Sequence, residues 1–313
     1  LDYVVTGHYA RIEYDAEKNR YLLKKGVDET KDQSYVLYNM TQEQLAHTLL
    51  PLGKLNKSEV RRIAEEQGFV NSKKKDSQDI CFVPNGDYAA FIEDYTGKTY
   101  PEGDFVRKDG KILGKHKGLI RYTIGQRKGL GLALDRPGYV CKKDMINNAV
   151  IIGDNEDLFT RRLIADDFNW IASDAPHGPI KIKAKTRYKH REQSAVATRL
   201  SDGRVEIVFD EPQRAITAGQ AVVLYDGDTV VGGGKITETI PAGHVEVIDE
   251  AVEPACLTKG RTEGRHCSLC GEVFQESEAI PALGHIYTEW EIDTEKHQRV
   301  CTGCGKTQKS KHN

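Results

Sequence analysis

Five short apolar runs, 180–188, 204–209, 221–225, 229–232 and 244–248, follow one another closely in the second half of the chain. Each is strand-length. Asp226-Gly227, between VVLY and TVVGG, is a hairpin signal. Short strands at this spacing predict a small antiparallel barrel. The first hundred residues read differently. Residues 1–12 suggest a buried strand with a small-residue turn at Thr6-Gly7-His8. Thr41-x-x-Gln44 has capping-box spacing ahead of Leu45 and Leu49. A second helix fits 57–67, with Val60, Ile63, Ala64 and Gln67 on one side and Gly68 as its stop. A third fits 88–95, capped by Asp87, with Tyr88, Phe91, Ile92 and Tyr95 recurring at helical spacing. From about residue 104 glycine turns separate short apolar runs, and RYTIGQRKGLGLAL reads as strand-loop-strand. The fold class expected is α/β plus β.

Composition limits what this fold can do. A length of 313 residues suggests two or three domains, and 38% hydrophobic residues suffice for real cores. The net charge of only −2 means that nucleic-acid binding would need a local basic patch. No run approaches the roughly 18 apolar residues of a membrane span, and no signal-peptide pattern occurs. Two of seven cysteines, Cys81 and Cys141, lie alone in the first 250 residues, which fits a reducing cytoplasm. The first residue is Leu1, inside an apolar stretch, so further chain is expected upstream.

Four segments could carry chemistry. In KIKAKTRYKHR, Lys181, Lys183, Lys185, Arg187, Lys189 and Arg191 occupy alternate positions. On a strand they share one face at intervals of roughly 7 Å and could track a phosphate backbone. The plainer alternative is an edge strand guarded by lysines against pairing. Cys81, in KKKDSQDICFV, is either a small buried hydrophobe or a thiolate favoured by Lys73, Lys74 and Lys75. Gly125-Gln126-Arg127-Lys128-Gly129-Leu130-Gly131 has neither Walker nor GxGxxG spacing and reads as a tight turn whose cations add to a basic surface. RHCSLCGEVFQ and RVCTGCGKTQK form an internal repeat that places Cys267 over Cys301 and Cys270 over Cys304. Two CxxCG turns of this kind can supply four thiolates to a structural zinc ion; a disulfide-bonded surface repeat is the alternative. Cys256, His285 and His297 then read as spare or incidental.

The body resembles the tRNA-specific 2-thiouridylases from Leu1 to about Glu246. The resemblance rests on VVTGHYARI at 4–12, KDQSYVLYNMTQEQL at 31–45, PLGKLNKSEVRRIAEEQG at 51–68 and KKKDSQDICFVP at 73–84. It continues through HKGLIRYTIGQRKGLG at 116–131, KTRY at 185–188 and FDEPQRAITAGQAVVLYDGDTVVGGGKI at 209–236. What it implies is the remainder of a PP-loop α/β catalytic domain with the cysteine segment over 1–95, a small central α+β domain over 96–165 and a tRNA-binding β-barrel over 166–248. A linker at 249–255 and a zinc-ribbon-like segment at 256–313 would follow. The implied reaction is ATP-dependent, with Mg2+, and inserts sulfur at C2 of the wobble uridine (position 34) of tRNA through an adenylated uridine. Sulfur would arrive from a cysteine desulfurase or a sulfur-relay protein.

Position by position, the resemblance implies that Cys81 bears the persulfide and that Gly7 contacts ATP. It implies that His8, Lys31, Asp32, Gln33, Arg187, Tyr188 and Gln220 contact tRNA. The family's SGGVDSS-like loop and its second catalytic cysteine do not occur in these residues, so the 313 residues alone are expected to be inactive. The C-terminal segment, with its CxxCG and IPALGH features, is similar instead to a repeat of bacterial cell-surface and other modular proteins. Two other readings compete: a nonenzymatic RNA-binding protein with barrel and zinc ribbon, and a PP-loop enzyme acting on a small molecule. The KDQ and KTRY segments and the basic strand speak against the last.

Overall fold

The computed structural model describes residues 2–70, 72, 83, 86–241, 246–267, 273–292 and 296–311. They divide into a large unit, Leu1–Gly243, and a smaller one, His244–Asn313.

The large unit opens with β1 (Val4–Val5), followed by a hairpin of β2 (Ala10–Asp15) and β3 (Arg20–Lys25). Val4 and Val5 are 61% and 63% exposed, so the expected buried strand starts to bury only at Tyr9 and Ala10. Helix α1 (Gln42–Ala46) forms where the capping box predicts. The Thr41 hydroxyl accepts from the Gln44 amide and the Gln44 side chain accepts from the Thr41 amide. It leads into β4 (Thr48–Leu49), which pairs in parallel with β1. Helix α2 (Lys57–Glu66) ends before Gly68, whose φ is +71°. Its apolar stripe is not buried. Val60, Ile63 and Ala64 line an open cavity with Leu52, Leu55 and Phe69.

Helix α3 (Tyr88–Thr96), with Asp87 accepting from the Ala90 amide, precedes a four-stranded sheet. Its strands are β5 (Gly103–Arg107), β6 (Ile112–His116), β7 (Tyr139–Asp144) and β8 (Ala149–Gly153), in the order β6-β5-β8-β7, with β5 and β8 parallel. RYTIGQRKGLGLAL does not form the expected strand-loop-strand. Gly125, Gly129 and Gly131 all take positive φ, which interrupts any ladder. The segment instead crosses the sheet as a coil, burying Tyr122 and Leu130 against Phe105, Val140 and Val150. Gly125 donates to the carbonyl of Val140 at 2.8 Å, which fixes the turn in place.

The barrel has six strands: β9 (Phe159–Trp170), β10 (Ile180–Lys185), β11 (Gln193–Arg199), β12 (Val205–Arg214), β13 (Ala221–Asp226) and β14 (Thr229–Pro241). The order β13-β10-β11-β12-β9-β14 is closed by pairing of β13 with β14 across the predicted hairpin. Inward Leu163, Ala195, Ala197, Ile207, Phe209, Leu224 and Ile236 fill it. Two of these strands carry little sequence signal. Strand β11 points only alanines into the core, and β9 interrupts its apolar residues with paired arginines and aspartates. The run at 244–248, expected in the barrel, forms the strand Glu246–Asp249, which pairs with Gly264–Cys267 in the smaller unit.

The N-terminal hairpin is fastened to the barrel. Lys24 of β3 pairs with Thr229 of β14, and Ala10, Leu23, Tyr35 and Leu45 share one buried cluster with Ile171, Val223, Tyr225 and Val230. Close approach depends on the Gly232-Gly233-Gly234 run. A Cβ on Gly233 would lie 2.7 Å from Tyr38 Cδ2 and 2.9 Å from the Val222 carbonyl. Gly233→Val is therefore expected to destabilise the large unit by about 1–3 kcal/mol, read as a lower urea midpoint with an unchanged slope.

In the smaller unit, Glu246–Asp249, Gly264–Cys267 and Val273–Gln275 form one sheet, and Glu291–Ile292, Lys296–Val300 and Thr307–Lys311 another. Within 249–255, the segment read as a linker, Val252 exchanges backbone hydrogen bonds with Arg261. No helix among the described residues is long and apolar enough to cross a membrane.

Candidate nucleic-acid interface

Strand β10 is hydrogen-bonded on both sides, to β11 and to β13, so the edge-strand reading of its lysines fails. Lys181 and Lys183 are exposed and Lys185 is half-buried on the same side. The row does not continue to Arg191. The strand ends at Lys185, Thr186 is buried, and 187–190 form a turn. Arg187 turns inward and donates to the Ala215 carbonyl at 2.5 Å and to Thr217 Oγ1 at 3.3 Å. Burial, and then repulsion from Arg214, lower its pKa below the ordinary arginine value. Tyr188, Lys189, His190 and Arg191 are exposed beyond it.

Residues 31–35 lie against this turn. Asp32 accepts from the amides of Gly26 and Ser34, each at 3.1 Å, and from the Ser34 hydroxyl at 2.9 Å. The Ser34 hydroxyl is also 3.2 Å from the buried Tyr225 hydroxyl. Gln33 is tied twice to Tyr9: its side chain accepts from the Tyr9 amide at 3.0 Å, and its amide donates to the Tyr9 carbonyl at 2.9 Å. Asp32 and Gln33 thus shape the loop with their polar groups.

Tyr35 and Tyr188 have ring centroids 6.3 Å apart, and Lys185 Nζ lies 5.7 Å from each centroid. Burial lowers the Lys185 pKa, against the pull of Asp32 and Glu192. Burial also pushes Tyr35 up to about 12, so its hydroxyl stays protonated and donates to the Ala221 carbonyl. Beside them Lys25 Nζ sits 4.7 Å over the Tyr225 ring and pairs with Glu192 at 2.6 Å.

The other residues drawn from the resemblance connect to this cluster. Exposed Gln220 ends the 215–220 turn on which Arg187 rests, next to the Ala221 that Tyr35 grips. His8 bonds through Nδ1 to Thr6 Oγ1 at 2.7 Å and precedes the Tyr9 held by Gln33. A Cβ on Gly7 would make ordinary contact with Leu52 at 3.5 Å, and no positive φ is recorded there. Nothing in the described chain requires glycine at that position. Lys25, Tyr35, Glu192 and Tyr225 were not singled out from sequence. Only Tyr35 lies in a segment where aromatic residues and cations interleave, KDQSY; the other three carry no such signal.

Cys81 and Lys73–Lys75 lie outside the described residues. Cys141 is half-buried, and burial raises its thiol to about 11, so it is protonated at neutral pH. In the smaller unit the side chain of Cys267 and all of Cys270 also lie outside the described residues. Cys301 and Cys304 meet Cys256 and His285, with all four ligand atoms within 4.8 Å of one another. His297 is not in that group.

Three family profiles match the chain in succession. These are a tRNA methyl transferase HUP domain over 1–85, a tRNA methyl transferase PRC-barrel domain over 89–154 and an aminomethyltransferase beta-barrel domain over 160–236. Among curated proteins, the tRNA-specific 2-thiouridylase MnmA of Acetivibrio thermocellus is 54% identical over 236 residues, covering 75% of this chain and 66% of that protein. The protein of the same name from Clostridioides difficile is 53% identical over 239 residues, covering 76% and 66%. That from Moorella thermoacetica is 53% identical over 236 residues, covering 75% and 66%. The chain thus spans 66% of the length of these relatives.

Proposed function

The chain belongs to the MnmA family, whose curated members are named tRNA-specific 2-thiouridylases, and from that premise we propose that its large unit is the tRNA-binding and sulfur-delivering part of such an enzyme. The observation that supports this reading best is the convergence of residues 31–35, 185–192 and 215–221 around Lys185, bracketed by Tyr35 and Tyr188. Cations presented between aromatic faces suit a phosphate backbone and unstacked bases.

The proposed reaction begins with attack of the uridine C2 oxygen on the α-phosphorus of ATP, expelling pyrophosphate. Cys81 carries the persulfide, charged by a cysteine desulfurase or a relay protein. A second thiol attacks Cys81 Sγ and breaks the S–S bond, releasing the outer sulfur as hydrosulfide and leaving a disulfide for an external reductant. The hydrosulfide attacks C2, and AMP leaves with the original oxygen. Gly7 is assigned to the ATP side, which accords with the HUP profile over 1–85. Because no phosphate-loop motif occurs in the 313 residues, by themselves they are proposed not to thiolate tRNA. The setting is proposed to be the cytoplasm, and the smaller unit is proposed to hold a structural zinc ion.

Lys185→Met tests the surface. Methionine keeps the volume between the two tyrosines and removes the charge. Filter binding of tRNA is expected to weaken roughly five- to thirtyfold, the loss of a partly desolvated cation–π and phosphate contact. Replacing a half-buried charge with an apolar side chain should leave the urea midpoint level or raised. Unaltered tRNA affinity would remove Lys185 from the interface.

A further inference from the structure

In the smaller unit the thiols of Cys256, Cys301 and Cys304 gather around the His285 ring. Cys256 Sγ and Cys301 Sγ are 3.6 Å apart, and Cys304 Sγ is 3.3 Å from His285 Nδ1. A disulfide would bring sulfurs to about 2.05 Å, so Cys256 and Cys301 are two separate thiols. Four ligands at about 2.3 Å (sulfur) and 2.0 Å (nitrogen) from a tetrahedral zinc ion stand about 3.5–3.8 Å apart along each edge. The sulfur–sulfur separation falls on such an edge and the sulfur–nitrogen one lies just inside it.

Two further features favour a metal. Cys256 and Cys301 are buried. The turn itself is cut to fit. A Cβ on Gly303 would lie 2.9 Å from Cys256 Sγ, and the Gly305 amide returns to the Cys301 carbonyl at 2.9 Å.

We infer that Cys256, His285, Cys301 and Cys304 are the four ligands of a structural zinc site, joining one end of the repeat to the CxxC turn at the other. This rests on the proposal that the smaller unit is a zinc module, and it corrects the ligand set that the repeat alone suggests. On this assignment Cys267 and Cys270 are not ligands of this ion. The site is closed, with four protein ligands and no position for water, so its role is to hold the fold together rather than to activate a substrate.

The test uses the full 313-residue chain, purified with zinc and separately with Co2+. One zinc per chain is expected by elemental analysis, retained in Cys267→Ser/Cys270→Ser and lost in Cys301→Ser/Cys304→Ser. His285→Cys guards against a trivial folding failure, since it offers a replacement ligand. It should keep the metal and intensify the thiolate-to-cobalt charge-transfer band as three sulfurs become four. Loss of zinc from Cys267→Ser/Cys270→Ser, or an unchanged cobalt spectrum in His285→Cys, overturns the ligand set while leaving the zinc module intact. A wild-type chain that binds neither zinc nor cobalt overturns both.

Discussion

Cys81→Ser in the full-length enzyme is expected to abolish 2-thiouridine formation, a loss on the order of a thousandfold or more, while tRNA affinity stays nearly unchanged. A thiolate can accept a sulfur atom as a persulfide and release it to a second thiol, because sulfur is polarisable and the S–S bond exchanges readily. A serine hydroxyl can do neither. Mass spectrometry of nucleosides from tRNA of cells carrying the variant reads the effect directly; an unchanged 2-thiouridine content refutes the assignment. Cys141→Ser is the internal control. The Cys141 thiol is raised to about 11 by burial and then by Asp157, so at neutral pH it carries no thiolate to lose. Thiolation is expected to persist in that variant.

The second large effect is expected from charge reversal at Lys183 and Lys189. Both are exposed, on either side of the Lys185–Tyr188 bracket. If each neutralises a phosphate, Lys183→Glu/Lys189→Glu should lower the slope of log K against log salt by roughly two units. At low salt this is a loss of affinity on the order of a hundredfold, shrinking as salt rises. A titration that gives the wild-type slope would show that this side of the barrel does not face RNA. Arg187 is a poorer choice for the same experiment. Its guanidinium anchors the 215–217 turn, so a change there alters shape as well as charge.

Local chemistry made part of this legible. The box at Thr41 and Gln44, the stop at Gly68 and the hairpin after Tyr225 are set by neighbours in sequence, and each forms where those neighbours predict. The basic strand was visible as a pattern, but not its end. Only its hydrogen bonds to the Ala215 carbonyl and Thr217 show why Arg187 leaves the row. Long-range relations were invisible to spacing. Strand β11 enters the barrel on alanines, which have weak strand preference, because β10 and β12 supply its partners. The link between Lys185 and Tyr35 spans 150 residues and follows from the packing of hairpin on barrel. The CxxC repeat drew attention to sulfur paired with sulfur. That left Cys256 and His285, which have no counterparts at the repeat period, as spare ligands, although they meet Cys301 and Cys304.

Because Tyr35, Ala10 and Leu23 share one core with Val223, Tyr225 and Val230, the proposed RNA-facing surface has an order of assembly. During synthesis Asp32 and Gln33 leave the ribosome nearly two hundred residues before Tyr225, and the barrel cannot close until β14 pairs with β13. Contacts of such high sequence separation form late in folding. A nascent chain therefore presents isolated lysines but no bracketed cation, and the proposed tRNA site exists only on a finished barrel.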